Sequence, residues 1–127
     1  MCGIIGISSN KSVSSSIINS LKKLEYRGYD SAGIATLSMG LINEVKSEGR
    51  VENLENNFDL KSLSGNIGIG HVRWATHGVP NSINAHPHSS DNVSVVHNGI
   101  IENSTLLKKY LLKKGHKFKS QTDTEVI

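Results

Sequence analysis

The sequence predicts a single mixed α/β domain on the basis of three observations. Short apolar runs rich in β-branched residues, typical of buried strands, alternate with segments whose apolar residues recur at helical spacing. The chain has 127 residues, the length of one domain that hides roughly two-thirds of its unfolded surface. Hydrophobic residues make up 36% of the chain and charged residues 20%, as in an ordinary globular protein. We therefore expect strands and helices that share one core.

Five segments are predicted to form strands. Each is short, apolar and bounded by polar or turn residues. Alternate glycines in one of them would allow another part of the chain to approach closely, and Met39–Gly40 is expected to turn the chain between the second and third strands. The five segments are residues 3–8 (GIIGIS), 32–38 (AGIATLS), 42–47 (INEVKS), 66–73 (NIGIGHVR) and 93–97 (VSVVH).

Helical spacing predicts three helices, two of which end near a glycine, where helices commonly stop. A fourth helix is predicted to begin at Thr122, because Thr122 and Glu125 match a capping box. The chain reaches Ile127 two positions later, so we expect the sequence to be a truncated part of a longer domain. The polar stretch 76–91 is expected to be a loop, which at this length is usually either functional or disordered. The three helices are residues 12–26, 51–58 and 102–114.

Composition and charge narrow the class of protein. The formal charge is +3 and the isoelectric point about 9.1, with lysines concentrated between residues 108 and 119. Lysines at helical spacing usually form a solvated face, so nucleic acid is not expected as a partner. The chain has no signal-peptide pattern, and no apolar run reaches the roughly 18 residues of a membrane span. A single cysteine forms no internal disulfide, so we expect a cytoplasmic protein that binds no membrane.

The only cysteine of the chain is Cys2. It could be an ordinary strand residue, since free cysteine is among the most buried residue types. It could also become the N-terminal residue once Met1 is removed. The freed α-amino group, with an ordinary pKa of about 7.7–8.0, would then be a base attached to the same residue as the thiol. From the residues alone, both alternatives stay open.

Several residues near the predicted loop could complete a site for such a nucleophile. Arg73 could bind a carboxylate bidentately or form an ordinary ion pair. Trp74 could be a core residue or a cover over a ligand. Asn98–Gly99 most often marks a hairpin turn, but its amide group and backbone N–H could also form an oxyanion hole. Five of the six histidines lie between positions 71 and 97, yet no recognised ligand spacing is present, so no metal is expected.

Six ordered blocks of the sequence resemble the glutaminase domain of the glutamine–fructose-6-phosphate aminotransferases. These enzymes are class II glutamine amidotransferases with an N-terminal nucleophile fold. Two classes of relatives with the same fold differ from this sequence in these blocks. Amidophosphoribosyltransferases resemble RGQD in the second block and R-Y-S-T in the third, and asparagine synthetases resemble RGPD. The blocks are MCGIIGI, LEYRGYDSAGIA, GHVRWATHG, NAHPH, VVHNGIIEN and TDTEVI.

The resemblance implies a fold and a reaction. Residues 2–127 would be the N-terminal part of an α/β fold, a four-layer α/β/β/α sandwich that is incomplete here, and the sugar-isomerase domains that bind fructose 6-phosphate would be absent. The reaction would be hydrolysis of glutamine through a glutamyl thioester, without a cofactor, to supply ammonia for transfer to a sugar phosphate. A second chain could complete the domain, and full-length members are expected to form homo-oligomers.

The resemblance also implies roles for individual residues. Cys2 would attack the carboxamide of L-glutamine, while the Asn98 side chain and the Gly99 N–H would hold the oxyanion. Arg73 would bind the α-carboxylate, assisted by Thr76 and His77, and Asp123 would bind the ammonium group. Trp74 would cover the site and gate the passage of ammonia. Arg27 and His86 would be supporting residues.

Three alternatives accompany this interpretation. The chain could be a non-catalytic, split-gene or degenerate fragment that keeps the motifs without turnover. It could be the glutaminase part of an amidophosphoribosyltransferase-like enzyme. It could also be a basic interaction module that uses the lysine-rich helix.

Overall fold

The computed structural model describes residues 1–75 and 78–127. Its central feature is a four-stranded antiparallel sheet, in which the strands lie in the order β1-β4-β2-β3. All four strands were predicted to within one residue at each end, and Met39 and Gly40 both take positive φ at the turn between β2 and β3. The strands are β1 (Gly3–Ser8), β2 (Ser31–Ser38), β3 (Leu41–Glu48) and β4 (Ile67–Arg73).

Helix α1 (Ser14–Leu24) covers one face of this sheet. Two glycines of β4 make room for it, because a Cβ at Gly68 or Gly70 would lie 2.7 or 2.6 Å from the Ile17 side chain. The alternate glycines therefore admit helix side chains into the core. Burial of this apolar cluster is the main stabilising contribution to the fold. Its members are Val13, Ile17, Ile18, Leu21, Ala32, Ile34, Val51, Leu54, Leu63 and Val72.

The remaining elements differ in part from the sequence-based expectation. Helix α2 (Glu52–Asn57) and helix α3 (Ser104–Lys113) lie within the predicted ranges. Strand β6 (Val93–Val95) ends two residues earlier than predicted and pairs with β5 (His88–Ser90), inside the segment predicted to be loop. Three polar residues give no apolar alternation, so β5 has no sequence signal. In the described residues, no helix has the length and apolar character needed to cross a membrane.

A second layer, formed by residues 83–95, lies against the other face of the sheet. At the contact, a Cβ on Gly33 of β2 would lie 2.0 Å from the backbone oxygen of His86. Lys46 of β3 bridges the same gap, since its Nζ donates to the carbonyl of Pro87 at 3.1 Å. The layers therefore meet backbone to backbone at a position where only glycine fits.

The predicted capping box at Thr122 is wrong. Residues Asp123–Val126 form a short 3₁₀ turn, and the Thr122 side chain makes no cap hydrogen bond to it. Thr122 Oγ1 instead bonds His88 Nε2 at 2.9 Å, and a Glu125 carboxylate oxygen accepts the N–H of Lys119 at 2.6 Å. The side chains of Thr122 and Glu125, which would have capped a helix, are therefore bonded to other parts of the chain.

Candidate active site

The register of the main sheet brings Cys2 beside the end of β4. Strands β1 and β4 are antiparallel with Gly3 opposite Val72, so the residue before β1 lies next to the residues that follow Val72. A cavity of about 300 Å³ opens at this point. Seven of the ten predicted site residues line it, namely Cys2, Arg73, Trp74, His86, Asn98, Gly99 and Asp123.

The sulfur of Cys2 is held by the main chain of Trp74. The Trp74 backbone N–H donates to Cys2 Sγ at 3.2 Å, and the thiol is 3.5 Å from the Trp74 carbonyl oxygen. The Cys2 carbonyl accepts from Arg27 Nε at 3.0 Å and from Asn98 Nδ2 at 3.1 Å. Cys2 precedes β1 and is half-buried at the cavity, so its interpretation as an ordinary buried strand residue is wrong. Met1 precedes it and also lines the cavity.

Arg73 places a buried cation in the cavity wall. Only 3% of its surface is exposed, which rules out an ordinary surface ion pair. Its guanidinium donates to the carbonyls of Gly78 and Val79 at 3.4 Å each. Burial lowers the pKa of Arg73 from its ordinary value, while nearby negative charge, including that of Asp123, raises it. The guanidinium is therefore oriented by the backbone and remains charged at neutral pH.

Asp123 is the acidic counterpart on the same cavity. It is 8% exposed, and its Oδ2 accepts the backbone N–H of Ile101 at 2.6 Å. This bond ties the segment before α3 to the 3₁₀ turn. Because an ionised carboxylate accepts at two oxygens, Asp123 keeps hydrogen-bonding capacity for a ligand.

Asn98 and Gly99 do not form a hairpin turn. The chain leaves β6, passes through both residues in irregular conformation and next enters α3, so no strand returns after them. Gly99 has φ +155°, and an added Cβ would lie 3.0 Å from His97 Nε2. The Asn98 side chain is directed at the Cys2 carbonyl, beside the thiol.

The Trp74 ring lies partly outside the protein. It is 46% exposed and meets the ring of Tyr29 edge to face, with centroids 5.8 Å apart. The core interpretation of Trp74 is therefore wrong. The next residue in the chain, Ala75, donates its N–H to Asp30 Oδ2 at 2.5 Å. Asp30 lies in the RGYD block but was not predicted to be functional, because its partner is 45 residues away in sequence.

Three histidines pack together as a histidine stack beside the cavity, and His86 among them lines it. The rings of His71 and His86 are parallel within 14° with centroids 4.2 Å apart, and His88 meets His86 edge to face at 4.7 Å. Burial lowers the pKa of His71 to about 4, that of His86 to about 2 and that of His88 to about 4, so all three are neutral at pH 7. Over residues 1–75 and 78–127, no group of three or more His, Cys, Asp or Glu side chains could hold a metal ion.

Two of the predicted site residues, Thr76 and His77, lie outside the described residues. Arg27 does not line the cavity but contacts Cys2 through the hydrogen bond to its carbonyl. Sequence reasoning missed His71, His88 and His97 as individual site residues. Their only signal was the concentration of histidines between positions 71 and 97.

Comparisons with known proteins agree with the family resemblance that the six sequence blocks carry. A family model described as a glutamine amidotransferase domain matches residues 59–127. The chain is similar over its whole length to three enzymes named glutamine–fructose-6-phosphate aminotransferase [isomerizing]. They come from Clostridium acetobutylicum (60% identity, 21% of that protein covered), Pyrococcus horikoshii (57%, 22%) and Mesorhizobium japonicum (56%, 21%). The chain thus spans about a fifth of the length of these relatives.

Two solved structures have the same fold. A glutamine phosphoribosylpyrophosphate amidotransferase from Bacillus subtilis, complexed with ADP and GMP, matches 99% of this chain with a TM-score of 0.84 and 29% identity. A structure described as the allosteric regulatory enzyme of purine biosynthesis matches 99% with a TM-score of 0.85 and 30% identity. The two TM-scores confirm the predicted N-terminal nucleophile α/β fold, and each match covers 28% of the longer chain. The chain belongs to the glutamine amidotransferase domain family, in the N-terminal part of proteins similar to the glutamine–fructose-6-phosphate aminotransferases.

Proposed function

We propose that Cys2, after removal of Met1, hydrolyses the side-chain amide of L-glutamine. The observation that carries this proposal is the placement of Cys2 Sγ in a cavity whose wall holds the cation of Arg73 and the carboxylate of Asp123. A free amino acid carries an α-carboxylate and an α-ammonium group, and these two side chains are complementary to them. The cavity of about 300 Å³ is suitable for a small ligand.

The binding step uses the two buried charges. The planar guanidinium of Arg73 pairs with the α-carboxylate, and Asp123 accepts from the α-ammonium group. With both ends of the amino acid fixed, the side-chain amide extends toward Cys2. Thr76 and His77 follow Arg73 in sequence and are proposed to assist it, with the half-exposed Trp74 as the cover.

The chemical step uses the N-terminal amine as the base. The freed α-amine of Cys2 takes the thiol proton, and Sγ forms a bond to the amide carbon of glutamine. The oxyanion that develops is stabilised by the Asn98 side chain and the Gly99 N–H. The carbon–nitrogen bond then breaks, and ammonia leaves with the proton from the amine. Water, deprotonated by the same amine, cleaves the thioester to give glutamate and the free thiol.

The ammonia is proposed to form glucosamine 6-phosphate from fructose 6-phosphate. The 60% identity to an aminotransferase of that name supports this acceptor, against 29% identity to a glutamine phosphoribosylpyrophosphate amidotransferase. The sugar would bind to parts of the protein beyond this chain. A homo-oligomeric assembly and a cytoplasmic location belong to the same proposal.

The test uses the full-length gene product. Intact mass first establishes whether Met1 has been removed, and glutamate release then measures the glutaminase reaction. We expect Cys2→Ala to abolish glutamate release and to prevent labelling by a diazoketone analogue of glutamine. Added ammonia should still support glucosamine 6-phosphate formation, which shows that the variant is folded. Retained glutaminase activity in Cys2→Ala, or full activity with Met1 in place, would contradict the proposal.

A further inference from the structure

His97 is fixed at three points immediately before Asn98. Its backbone N–H donates to His86 Nδ1 at 3.4 Å, and its carbonyl accepts from His71 Nε2 at 3.1 Å. Its ring Nδ1 lies 3.1 Å from Thr124 Oγ1. One residue thus contacts β4, the second layer and the 3₁₀ turn that carries Asp123.

The hydrogen bonds determine which nitrogens of the two buried rings carry protons. A carbonyl only accepts, so His71 Nε2 is protonated and Nδ1 of the neutral ring is bare. This agrees with the absence of a partner at the buried His71 Nδ1 among the described residues. His86 Nδ1 accepts the N–H of His97, so the proton of its neutral ring lies on Nε2. Both rings are therefore neutral and oriented toward the His97 backbone.

The ring of His97 lies against Gly99. Its Nε2 is the nearest atom to the place where a Gly99 Cβ would be, at 3.0 Å. Gly99 has φ +155°, a conformation that residues with side chains rarely adopt. The ring therefore fills the space beside Gly99, while Thr124 holds the ring from the other nitrogen.

We infer that His97 is a positioning residue that holds Asn98 and Gly99 where their N–H groups meet the developing oxyanion. This inference rests on the proposed function. His97 acts through Asn98 and Gly99, the two proposed donors. Its backbone is fixed by His71 and His86, and its ring fixes the position of Gly99. Oxyanion donors are effective only at hydrogen-bond distance from the place where charge develops, and a displacement of about 1 Å can cost ~10²-fold in rate.

The first test compares two substitutions of the ring. Asparagine places a polar atom near the position of the imidazole Nδ1 and keeps the bond to Thr124, whereas leucine has a similar volume and no polar atom. We expect His97→Leu to lower kcat for glutamine about 10²-fold with KM changed less than about 3-fold. His97→Asn should recover about 10-fold of that loss. The exposed His116, changed to leucine, is the matched control and should retain the original rate.

A second pair of variants approaches the same contact from Thr124. Thr124→Val removes the hydroxyl at nearly constant shape, and Thr124→Ser keeps it. If His97→Leu does not fold, this pair decides the question, because Thr124→Val should show the same selective loss of kcat and Thr124→Ser should not. All rates are measured on the full-length gene product and divided by the fraction of Cys2 that the diazoketone analogue labels, which removes loss of folded protein from the comparison.

The outcomes separate this inference from the proposed function. The inference is overturned if kcat of the folded leucine and valine variants stays within about 2-fold of the original, or if KM rises while kcat is unchanged, or if asparagine gives no recovery. In those cases glutamine hydrolysis by Cys2 still stands. Absence of hydrolysis in the unmodified protein, or its persistence in Cys2→Ala, overturns both.

Discussion

Arg73 combines burial with a fixed orientation. It is 3% exposed, and the carbonyls of Gly78 and Val79 receive its N–H groups. These acceptors orient the guanidinium plane at the cavity, where its fork of parallel N–H groups would bind the proposed α-carboxylate at two points. A lysine at this position would have the charge without the fork.

Arg73→Lys is expected to raise KM for glutamine by roughly 10–100-fold, because a hydrogen bond to a charged group contributes about 1.5–3 kcal/mol. The value of kcat should change less, since Cys2 and the oxyanion donors are untouched. Steady-state kinetics of glutamate release measures both constants. Arg50→Lys is the control, because the Arg50 side chain is exposed and bonds Glu25 away from the cavity. An unchanged KM in Arg73→Lys would show that the residue does not bind the substrate.

Asn98→Ala is expected to lower kcat by about 10²–10³-fold, the typical cost of losing one oxyanion donor. The substitution also removes the bond to the Cys2 carbonyl. Asn103→Ala is a suitable control, because Asn103 is exposed and its side chain does not cap α3. A near-normal turnover in Asn98→Ala would mean that Asn98 has no part in stabilising the oxyanion.

At the scale of elements, the contact between β2 and the second layer holds the site together. The backbone oxygen of His86 occupies the place of a side chain at Gly33. His86 in turn accepts the N–H of His97, next to the proposed oxyanion donors. His86 therefore contacts the main sheet with its backbone and the segment of the proposed oxyanion donors with its ring.

Gly33→Ala is expected to lower the free energy of unfolding by about 1–3 kcal/mol, as overpacked substitutions do. The added Cβ would lie 2.0 Å from a backbone oxygen, so the second layer has to move. Urea unfolding measures the change. Gly6→Ala on β1 is the matched control, because its Cβ would approach nothing closer than 3.9 Å. Equal stability of the two variants would show that the layers are not in contact at Gly33.

The elements also show what the sequence could predict. The long strands and α1 were predictable because apolar periodicity and β-branched residues agree with the burial that the sheet provides. Strand β5 was not, because His88–Ser90 has no apolar residue to mark a buried face. The capping box at Thr122 failed because tertiary partners outcompeted the local helix.

The site was predictable only in part. Cys2, Arg73 and Asn98 come from separate segments, and spacing alone left the role of each open. Only the resemblance of the six blocks to a known family predicted that these residues share one site. The register of β1 with β4 gives the physical reason why Cys2 and Arg73 lie close together. The contacts of Asp30 and His97 near the cavity were not predicted, because they depend on tertiary neighbours that no local pattern encodes.

At the scale of the whole molecule, the histidine stack makes stability depend on pH. The pKa of His71 and His88 is about 4 in the folded protein and that of His86 about 2, against 6.5 when they are exposed in the unfolded chain. The unfolded state therefore binds more protons below pH 6.5. The contribution of these rings to stability is complete above that pH and is lost as pH falls from 6.5 to about 4 for His71 and His88, and to about 2 for His86.

We expect the free energy of unfolding to fall between pH 7 and pH 4, by up to about 1.4 kcal/mol per pH unit for each buried histidine. Urea denaturation at a series of pH values measures this slope. His88→Gln should make the slope shallower, and His116→Gln, which changes an exposed residue, should leave it unchanged. A stability that stays constant from pH 7 to pH 5 would show that the stacked rings are not buried in neutral form.

The sulfur of Cys2 receives its hydrogen bond from the peptide amide of Trp74, whose indole ring projects partly into water. Every amino acid except proline has that amide hydrogen. Substitution of Trp74 by any residue other than proline therefore changes the exposed ring and keeps the N–H that bonds Cys2 Sγ. The proposed cover over the cavity and the proposed nucleophile can therefore be varied independently of each other.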